Sequence, residues 1–212
     1  MARSASVVDA AAGVDAVLVC TPDAAIGATA DAIRPGDAAV LHCSGATTLE
    51  PLHAHARRGS LHPLMALPDA STGSTRLVSG GWFAVAGDPI AAELVAGLGG
   101  RSFAVDDDNR ARYHATAAVA ANHLVALLGQ VERLAASIGV PLEAFLDLAA
   151  GSFDDVGRVG AAAALTGPAA RGDHATLAAH RASLPTDEVE LYEVLAAAAA
   201  RLARPAETSD DA

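Results

Sequence analysis

The chain has 212 residues, of which 52% are hydrophobic, and its formal net charge is −11. This length can bury one sizeable core or two small ones, which predicts one or two compact domains. The acidic balance argues against nucleic acid or an anionic membrane as a partner, because both require a basic surface. All 14 basic residues are arginines. Schiff-base chemistry on a lysine and the phosphate-binding lysine of a P-loop are therefore excluded.

The N-terminal stretch is apolar, but Asp9 and Asp15 interrupt it where a signal peptide would be continuous. No apolar run reaches the length that crosses a bilayer, so we expect a cytoplasmic protein with no membrane partner. Two cysteines are too few for a disulfide framework. Cys20 and Cys43 lie within apolar runs, and we expect both to be small buried thiols.

The first half of the chain alternates short apolar runs with helical segments. Strands are predicted at residues 15–20, 38–43, 59–61, 82–86 and 102–105, and helices at residues 22–33, 48–56 and 88–98. This βαβ rhythm is typical of an α/β fold with a parallel sheet and helices on its faces. We expect the sheet domain to cover residues 1–106.

Loops that follow the carboxyl ends of such strands line the usual ligand crevice. The residues that follow the first two predicted strands are Thr21, Pro22, Asp23, Ser44 and Gly45. His62 ends the third strand and precedes a proline, so a stiff backbone holds its ring. It serves either as acid, base or donor to a substrate carbonyl, or as the cap of a turn.

Three other histidines of this half are expected to have structural roles. His42 lies within an apolar strand and is predicted to be a core residue, whereas His53 and His55 on the predicted helix 48–56 should face solvent. The histidine and cysteine spacings contain no grouping with a carboxylate on the same face, apart from that exposed pair. The sequence therefore predicts no metal site.

The chain changes character after the acidic residues 106–108, which suit a helix N-terminus. A long helix is predicted over residues 110–138, because they contain no proline and mostly strong helix formers. Its apolar circumference must be covered by neighbouring helices or by a second subunit. We expect a homodimer, and the candidates for its interface or the core beside it are Leu124, Leu127, Leu128 and Val131.

Shorter helices are predicted at residues 142–150, 154–165, 171–184 and 186–204. They give an all-α domain over residues 107–204, followed by a disordered tail over residues 205–212. On the long helix, His114 and Asn122 differ by eight positions, which is about 80° in projection and roughly 12 Å along the axis. They are candidates for the lining of one cleft.

The stretch LTGPAARGDHATLAAH concentrates polar side chains in an alanine-rich region. Its Thr-Gly-Pro turn predicts a new helix beginning near Arg171, whose guanidinium and the backbone donors there could jointly hold an anion. Asp173, Thr176 and His180 would share one face of that helix. The alternative is that Asp173 caps the helix, Arg171 pairs with a surface acid and His180 packs. The candidates for substrate contacts are Thr166, Arg171 and Asp173.

Five blocks carry a resemblance to a known family: VLVCTPDAAI (17–26), LHCSGA (41–46), GSLHPL (59–64), RYHATAAVAANHLVALL (112–128) and ALTGPAARGDHATLAAH (164–180). The chain resembles a bacterial family of Rossmann-like oxidoreductases whose helical C-terminal half is a domain of unknown function. That family is similar in architecture to pyrroline-5-carboxylate reductase and to the 6-phosphogluconate and β-hydroxyacid dehydrogenases. The resemblance implies a partial Rossmann-like domain followed by a 6-phosphogluconate-dehydrogenase-like helical domain that usually makes the dimer.

The resemblance also implies an NAD(P)-dependent oxidoreductase acting on a small anionic metabolite. NADP or NAD would lie near residues 21–23 and Ser44, with the substrate in the interdomain cleft. The implied roles in the reaction are proton donation by His62 or His114, substrate orientation by Asn122 and anion binding by Arg171.

Two features depart from the family pattern. The opening strand, G-x-G-x-x-G turn and helix do not occur, and the sequence matches the family only from about the third strand. Ala118 stands where the β-hydroxyacid dehydrogenases have the lysine of their K-x-x-x-N pair, so His114 or His62 would have to replace it. The alternative function is therefore a non-catalytic dimeric module that binds a metabolite or a partner protein and no dinucleotide.

Overall fold

The computed structural model describes residues 6–203, and the predicted tail at 205–212 lies outside them. The chain forms two compact units that divide between Leu124 and Val125. The first contains a five-stranded sheet, and the second is helical. Within residues 6–203, no helix combines the length and the apolar character that crossing a membrane requires.

The sheet consists of β1 (Ala16–Val19), β2 (Ala39–His42), β3 (Arg58–Pro63), β4 (Trp82–Gly87) and β5 (Arg101–Ala104), which are neighbours in chain order. Three of its four pairings are parallel, and β3 pairs antiparallel with β4. A parallel connection needs a crossover helix with an apolar face. The helix α2 (Ala70–Leu77) lies between β3 and β4 in the chain; it fully buries only Gly73, and its Leu77 packs partly buried against the sheet. The predicted α/β class is confirmed, and the sheet is parallel as predicted except between β3 and β4.

Four helices belong to the first unit: α1 (Ile26–Asp31), α2, α3 (Ile90–Gly97) and α4 (Arg110–Ala118), the last followed by a π-helical turn at Val119–His123. The sequence did not predict α2. Its start is nevertheless visible in Asp69, whose carboxylate accepts from the backbone N–H groups of Ser71 and Thr72 at 2.9 Å. That is a regular N-cap.

The predicted helix at residues 48–56 is wrong, because only a 3₁₀ turn forms at Glu50–Leu52. The chain leaves helical geometry there, and the His55 ring is buried with its Nε2–H donating to the carbonyl of Ala30 at 2.9 Å. The expected exposure of His55 is therefore also wrong, whereas His53 is exposed as predicted. A tertiary hydrogen bond outweighs the local helix preference at this position.

The core of the first unit lies on both faces of the sheet, because alternate residues of a strand point to opposite sides. On one face, Val19 and Val40 pack with residues of α1, including Ile26 and Ala30. On the other face, Leu41 and Phe83 belong to a second cluster that includes Ala91 and Val95 of α3. A sheet covered on both faces presents its strand ends for binding.

The second unit contains all of α5 (Leu124–Ser137) except its first residue, followed by five further helices in the described residues: α6 (Leu142–Val159), α7 (Ala161–Ala164), α8 (Pro168–Arg171), α9 (His174–Ser183) and α10 (Val189–Leu202). The two helices predicted at residues 142–150 and 154–165 are largely one helix, since Gly151 within α6 does not interrupt it. Buried Glu188, just before α10, accepts hydrogen bonds from Gln130 and Arg133 of α5. The predicted all-α character of this part is confirmed.

Candidate functional site

The loops at the carboxyl ends of β1 and β2 are joined by a hydrogen bond. The hydroxyl of Ser44 donates to the carboxylate of Asp23 at 2.7 Å and accepts from the backbone N–H groups of Ala46 and Thr47 at 3.2 and 3.0 Å. Two residues expected to bind a cofactor thus lie together where parallel strands end, as the sequence pattern predicts.

Thr21 follows β1 beside this junction and presents an unusual polar atom. Within residues 6–203, its Oγ1 is the one buried side-chain nitrogen or oxygen without a hydrogen-bond partner. An unsatisfied buried hydroxyl costs about 1–3 kcal/mol, so it is suited to bond a ligand that reaches this edge. The adjacent Pro22 is exposed and begins the 3₁₀ turn Asp23–Ala25.

His42 is a fully buried core residue, as predicted. Its Nδ1 accepts from the N–H of Ser44, which leaves Nε2–H to donate to the carbonyl of Thr48, both at 3.2 Å. Burial and, secondarily, the positive charge of Arg110 lower the pKa of His42. The neutral ring therefore fixes the turn that carries Ser44 and Gly45.

His62 lies at the end of β3 and is hydrogen-bonded to Tyr113 of α4. The Nδ1 of His62 and the phenol oxygen of Tyr113 are 2.6 Å apart, and the rings meet edge to face. Burial, followed by the charges of His114 and Arg110, lowers the pKa of His62 to about 4. Burial raises the pKa of Tyr113. Both groups are neutral at pH 7, and either one can donate in their bond.

The ring of His114 lies beside that of His62, with 6.2 Å between their centroids. Gly45 fits against both rings: a Cβ at this position would lie 2.8 Å from Nε2 of His62 and 2.9 Å from Cδ2 of His114. Glycine is therefore needed for close approach. The structure brings together two of the three predicted catalytic residues with a predicted cofactor residue.

Asn122 is exposed and lies in the π-helical turn Val119–His123. The predicted cleft shared with His114 assumed 3.6 residues per turn, and a π-helical turn has a different repeat. The projection from His114 therefore does not apply beyond Ala118.

Arg110 supports the site through buried hydrogen bonds and is not among the site residues predicted from the sequence. Its guanidinium is buried and donates to the hydroxyl of Ser60, to the carbonyl of Ser44 at 3.4 Å and to Asp107 at 3.1 Å. The i,i+3 spacing from Asp107 is the one local signal that could have indicated an ion pair. Arg110 thus joins the loop after β2 to the first turn of α4, which carries Tyr113.

A pocket of about 260 Å³ opens beside Tyr113, in the first unit. Polar side chains contribute much of its lining: Asp106, Asn109, Arg112, Tyr113 and Thr116. The lining therefore combines an aromatic residue with one basic and one acidic residue, Arg112 and Asp106.

The predicted substrate residues lie in the second unit. The expectation that a helix begins near Arg171 is wrong, because α9 begins at His174. Arg171 is the last residue of α8, because Gly172 takes a left-handed conformation with φ 67° and ends that helix. Asp173 caps α9 and accepts from the N–H and hydroxyl of Thr176 at 3.0 and 2.7 Å. The capping alternative for Asp173 is therefore confirmed. Thr166 and Arg171 are exposed.

The expected burial of the two thiols is also wrong, since Cys20 is exposed and Cys43 is half-buried. Both follow the ends of their strands, so each sits at the rim of the sheet and not within it. In the part of the chain that the structure describes, no three His, Cys, Asp or Glu side chains form a group that could hold a metal ion.

Comparison with known proteins identifies a matching family and solved structures with a similar fold. The profile of the family described as "Domain of unknown function (DUF2520)" matches residues 83–199. Protein TM1727 from Thermotoga maritima is 25% identical with a TM-score of 0.73, and the match covers 88% of this chain and 77% of that one. No curated protein sequence matches the chain.

Two enzymes of known activity share the fold at lower identity. The reductive aminase from Aspergillus terreus, solved with NADPH and ethyl levulinate, is 20% identical with a TM-score of 0.62, covering 93% of this chain and 77% of that one. The pyrroline carboxylate reductase of Plasmodium falciparum, solved with NADP bound, is 12% identical with a TM-score of 0.60, covering 95% and 82%.

Proposed function

Because the chain belongs to the DUF2520 family, whose function is unknown, we propose its function from the site: an NADP(H)-dependent reductase of a small carbonyl or imine compound. The observation that carries the proposal is the hydrogen-bonded pair of His62 and Tyr113 beside Gly45, at the strand ends where α/β sheets bind nucleotides. NADP(H) in both the reductive aminase and the pyrroline carboxylate reductase supports the choice of cofactor.

The residues after β1 and β2 fit the nicotinamide and ribose end of such a cofactor. The unpartnered hydroxyl of Thr21 supplies a hydrogen-bond donor, and the Asp23–Ser44 pair supplies acceptors for ribose hydroxyls. Gly45 holds this loop against the rings of His62 and His114, which keeps both histidines next to the proposed cofactor residues. When bound, NADPH supplies the hydride.

Tyr113 is the proton donor in this proposal. Tyr113 is one of the residues that line the pocket. In the productive tautomer, Nδ1–H of His62 donates to the phenol oxygen, which leaves the phenol proton for the substrate. As the proton leaves, the phenolate is stabilised by that hydrogen bond and by the positive charge of Arg110, which acts to lower the pKa of Tyr113. His62 can remain neutral throughout, as its low pKa favours.

The substrate belongs to the small, anionic class. Arg112 lines the same pocket as Tyr113 and offers a guanidinium to a carboxylate or phosphate. Asn122 keeps the role of orienting the substrate and Arg171 the role of binding an anion, as the resemblance implies. The protein is cytoplasmic and homodimeric in this proposal, with the apolar side chains exposed on α6, among them Leu148 and Phe153, available for a second copy.

The test combines nicotinamide fluorescence titration with oxidation of NADPH in the presence of small keto acids and cyclic imino acids. We expect saturable submillimolar binding of NADPH by the protein and turnover of one of these substrate classes. Tyr113→Phe should lower kcat by about 10²–10⁴-fold, the usual contribution of a positioned proton donor, and leave NADPH affinity unchanged.

The chain offers a matched control for that variant. Tyr192 also contacts a histidine through its hydroxyl, at 2.8 Å from Nδ1 of His180 in the second unit. Tyr192→Phe should retain turnover. Absence of saturable NADPH binding would favour the non-catalytic module, and equal turnover by Tyr113→Phe and the unaltered protein would remove Tyr113 from the mechanism.

A further inference from the structure

Cys20 and Cys43 occupy equivalent places at the ends of two neighbouring strands. The parallel register pairs Val19 with His42, so the next residue of each strand is a cysteine. Adjacent strands lie about 4.8 Å apart, within the Cα separation of about 4.4–6.8 Å that a disulfide spans. The two Sγ atoms are 3.6 Å apart. The strand spacing and the distance between the sulfurs are therefore compatible with a disulfide between Cys20 and Cys43.

The two thiols differ in environment in the way that thiol–disulfide exchange requires. Cys20 is exposed and open to a reagent, whereas Cys43 is half-buried behind it. The thiol of Cys43 donates a hydrogen bond to the sulfur of Cys20, which lowers the pKa of Cys20 to about 6 and raises the pKa of Cys43. Cys20 is therefore the thiolate at neutral pH, and Cys43 stays protonated until the second exchange.

We propose that Cys20 and Cys43 form a redox-active dithiol that reacts with low-molecular-weight disulfides, with Cys20 as the attacking and Cys43 as the resolving residue. This site is distinct from the proton-transfer pair of His62 and Tyr113. It does not depend on the proposed reductase activity.

The reaction proceeds in two balanced exchanges. The thiolate of Cys20 attacks one sulfur of glutathione disulfide, the S–S bond breaks, and one glutathione thiolate leaves. Cys43 then loses its proton to solvent and attacks the Sγ of Cys20, which expels the second glutathione. The protein dithiol is oxidised by two electrons to a disulfide, and one glutathione disulfide is reduced to two glutathione molecules.

Intact-mass spectrometry of the full chain tests the proposal. Reduced protein is incubated with glutathione disulfide at pH 7 and quenched with acid. We expect the loss of two hydrogens, no retained glutathione, and one peptide pair linking Cys20 to Cys43. In Cys43→Ala the resolving thiol is missing, so the mixed disulfide on Cys20 should accumulate with the mass of one glutathione.

Alkylation by iodoacetamide across a pH series separates the roles of the two sulfurs. The midpoint for Cys20 should lie near pH 6 in the unaltered protein and move toward the ordinary value of 9.0 in Cys43→Ala. Cys20→Ala should react with glutathione disulfide at least about tenfold more slowly, because the remaining thiol is protonated and less accessible. Cys43→Ser provides a second variant of nearly native size.

Three results would overturn the proposal. They are a stable mixed disulfide on the unaltered protein, reaction of Cys20→Ala at the unaltered rate, or reaction of the native chain no faster than the urea-unfolded chain. NADPH binding and turnover of the reduced protein are measured separately, so failure of this proposal leaves the proposed reductase unaffected.

Discussion

Replacing Arg110 by methionine should destabilise the first unit by about 1–4 kcal/mol. The side chain of Arg110 is only 2% exposed and provides the hydrogen-bond donor for the hydroxyl of Ser60, itself fully buried. Methionine fills much of the same volume but donates no hydrogen bond. Leaving Ser60 unsatisfied costs about 1–3 kcal/mol.

Losing the ion pair between Arg110 and Asp107 lowers the stability less than losing the hydrogen bond to Ser60. The carboxylate of Asp107 is 40% exposed, so solvent screens the pair, and its loss costs at most about 1 kcal/mol. Asp107 also keeps the backbone N–H of Leu49, at 3.0 Å, as a partner. If the carboxylate of Asp107 were fully buried, Arg110→Met would leave an unpaired buried charge and would destabilise the protein more.

Urea unfolding followed by circular dichroism measures the effect. With a slope of about 2 kcal/mol per molar urea, the midpoint should fall by about 0.5–2 M. Arg112→Met is the matched control, because Arg112 lies on the same helix and is exposed. The free energy of unfolding of this control should change by less than about 0.5 kcal/mol. Equal midpoints for the two variants would refute the assignment of Arg110 as the support of the site.

Three further predictions concern His62, Gly45 and the assembly. Since the pKa of His62 is about 4 in the folded chain and 6.5 in the unfolded one, the unfolded state binds more protons between these values, and the free energy of unfolding should fall as pH drops from 6.5 toward 4. His62→Gln should flatten that dependence in a urea series, and an unchanged slope would contradict the burial of the ring. Gly45→Ala should cost about 1–3 kcal/mol by forcing two imidazoles to move, whereas Gly97→Ala, with open space at its Cβ, should not destabilise; similar melting temperatures for both would contradict the close approach. Light scattering at micromolar concentration should give the mass of a dimer, and a well-folded monomer would show that the apolar helices need no second subunit.

The local patterns of the sequence located most of the secondary structure. All five strands and the helices that became α1 and α3 were predicted, since short apolar runs between turn residues specify them without reference to the rest of the chain. The helical second half followed from the same kind of signal. Predictions failed where the local sequence is compatible with more than one structure. Residues 48–56 are an example, because the hydrogen bond of buried His55 to α1 replaces the predicted helix.

The sequence also identified individual residues of the site without showing their contacts. His62, His114, Ser44 and Gly45 were selected because strand ends and a helix start hold polar side chains near a crevice. Tyr113 and Arg110 were not selected as site residues. Nothing local distinguishes a tyrosine or an arginine that becomes buried from one that faces solvent.

What the sequence by itself determined is therefore the class of the fold, the positions of the strand ends and the set of chemistries open to a chain without lysine. Only the tertiary structure decided which of these groups meet. His62 and Tyr113 are separated by 51 residues, and Cys20 and Cys43 by 23. Their contacts depend on strand order and register, which are set by the packing of both sheet faces and not by the sequence around each residue.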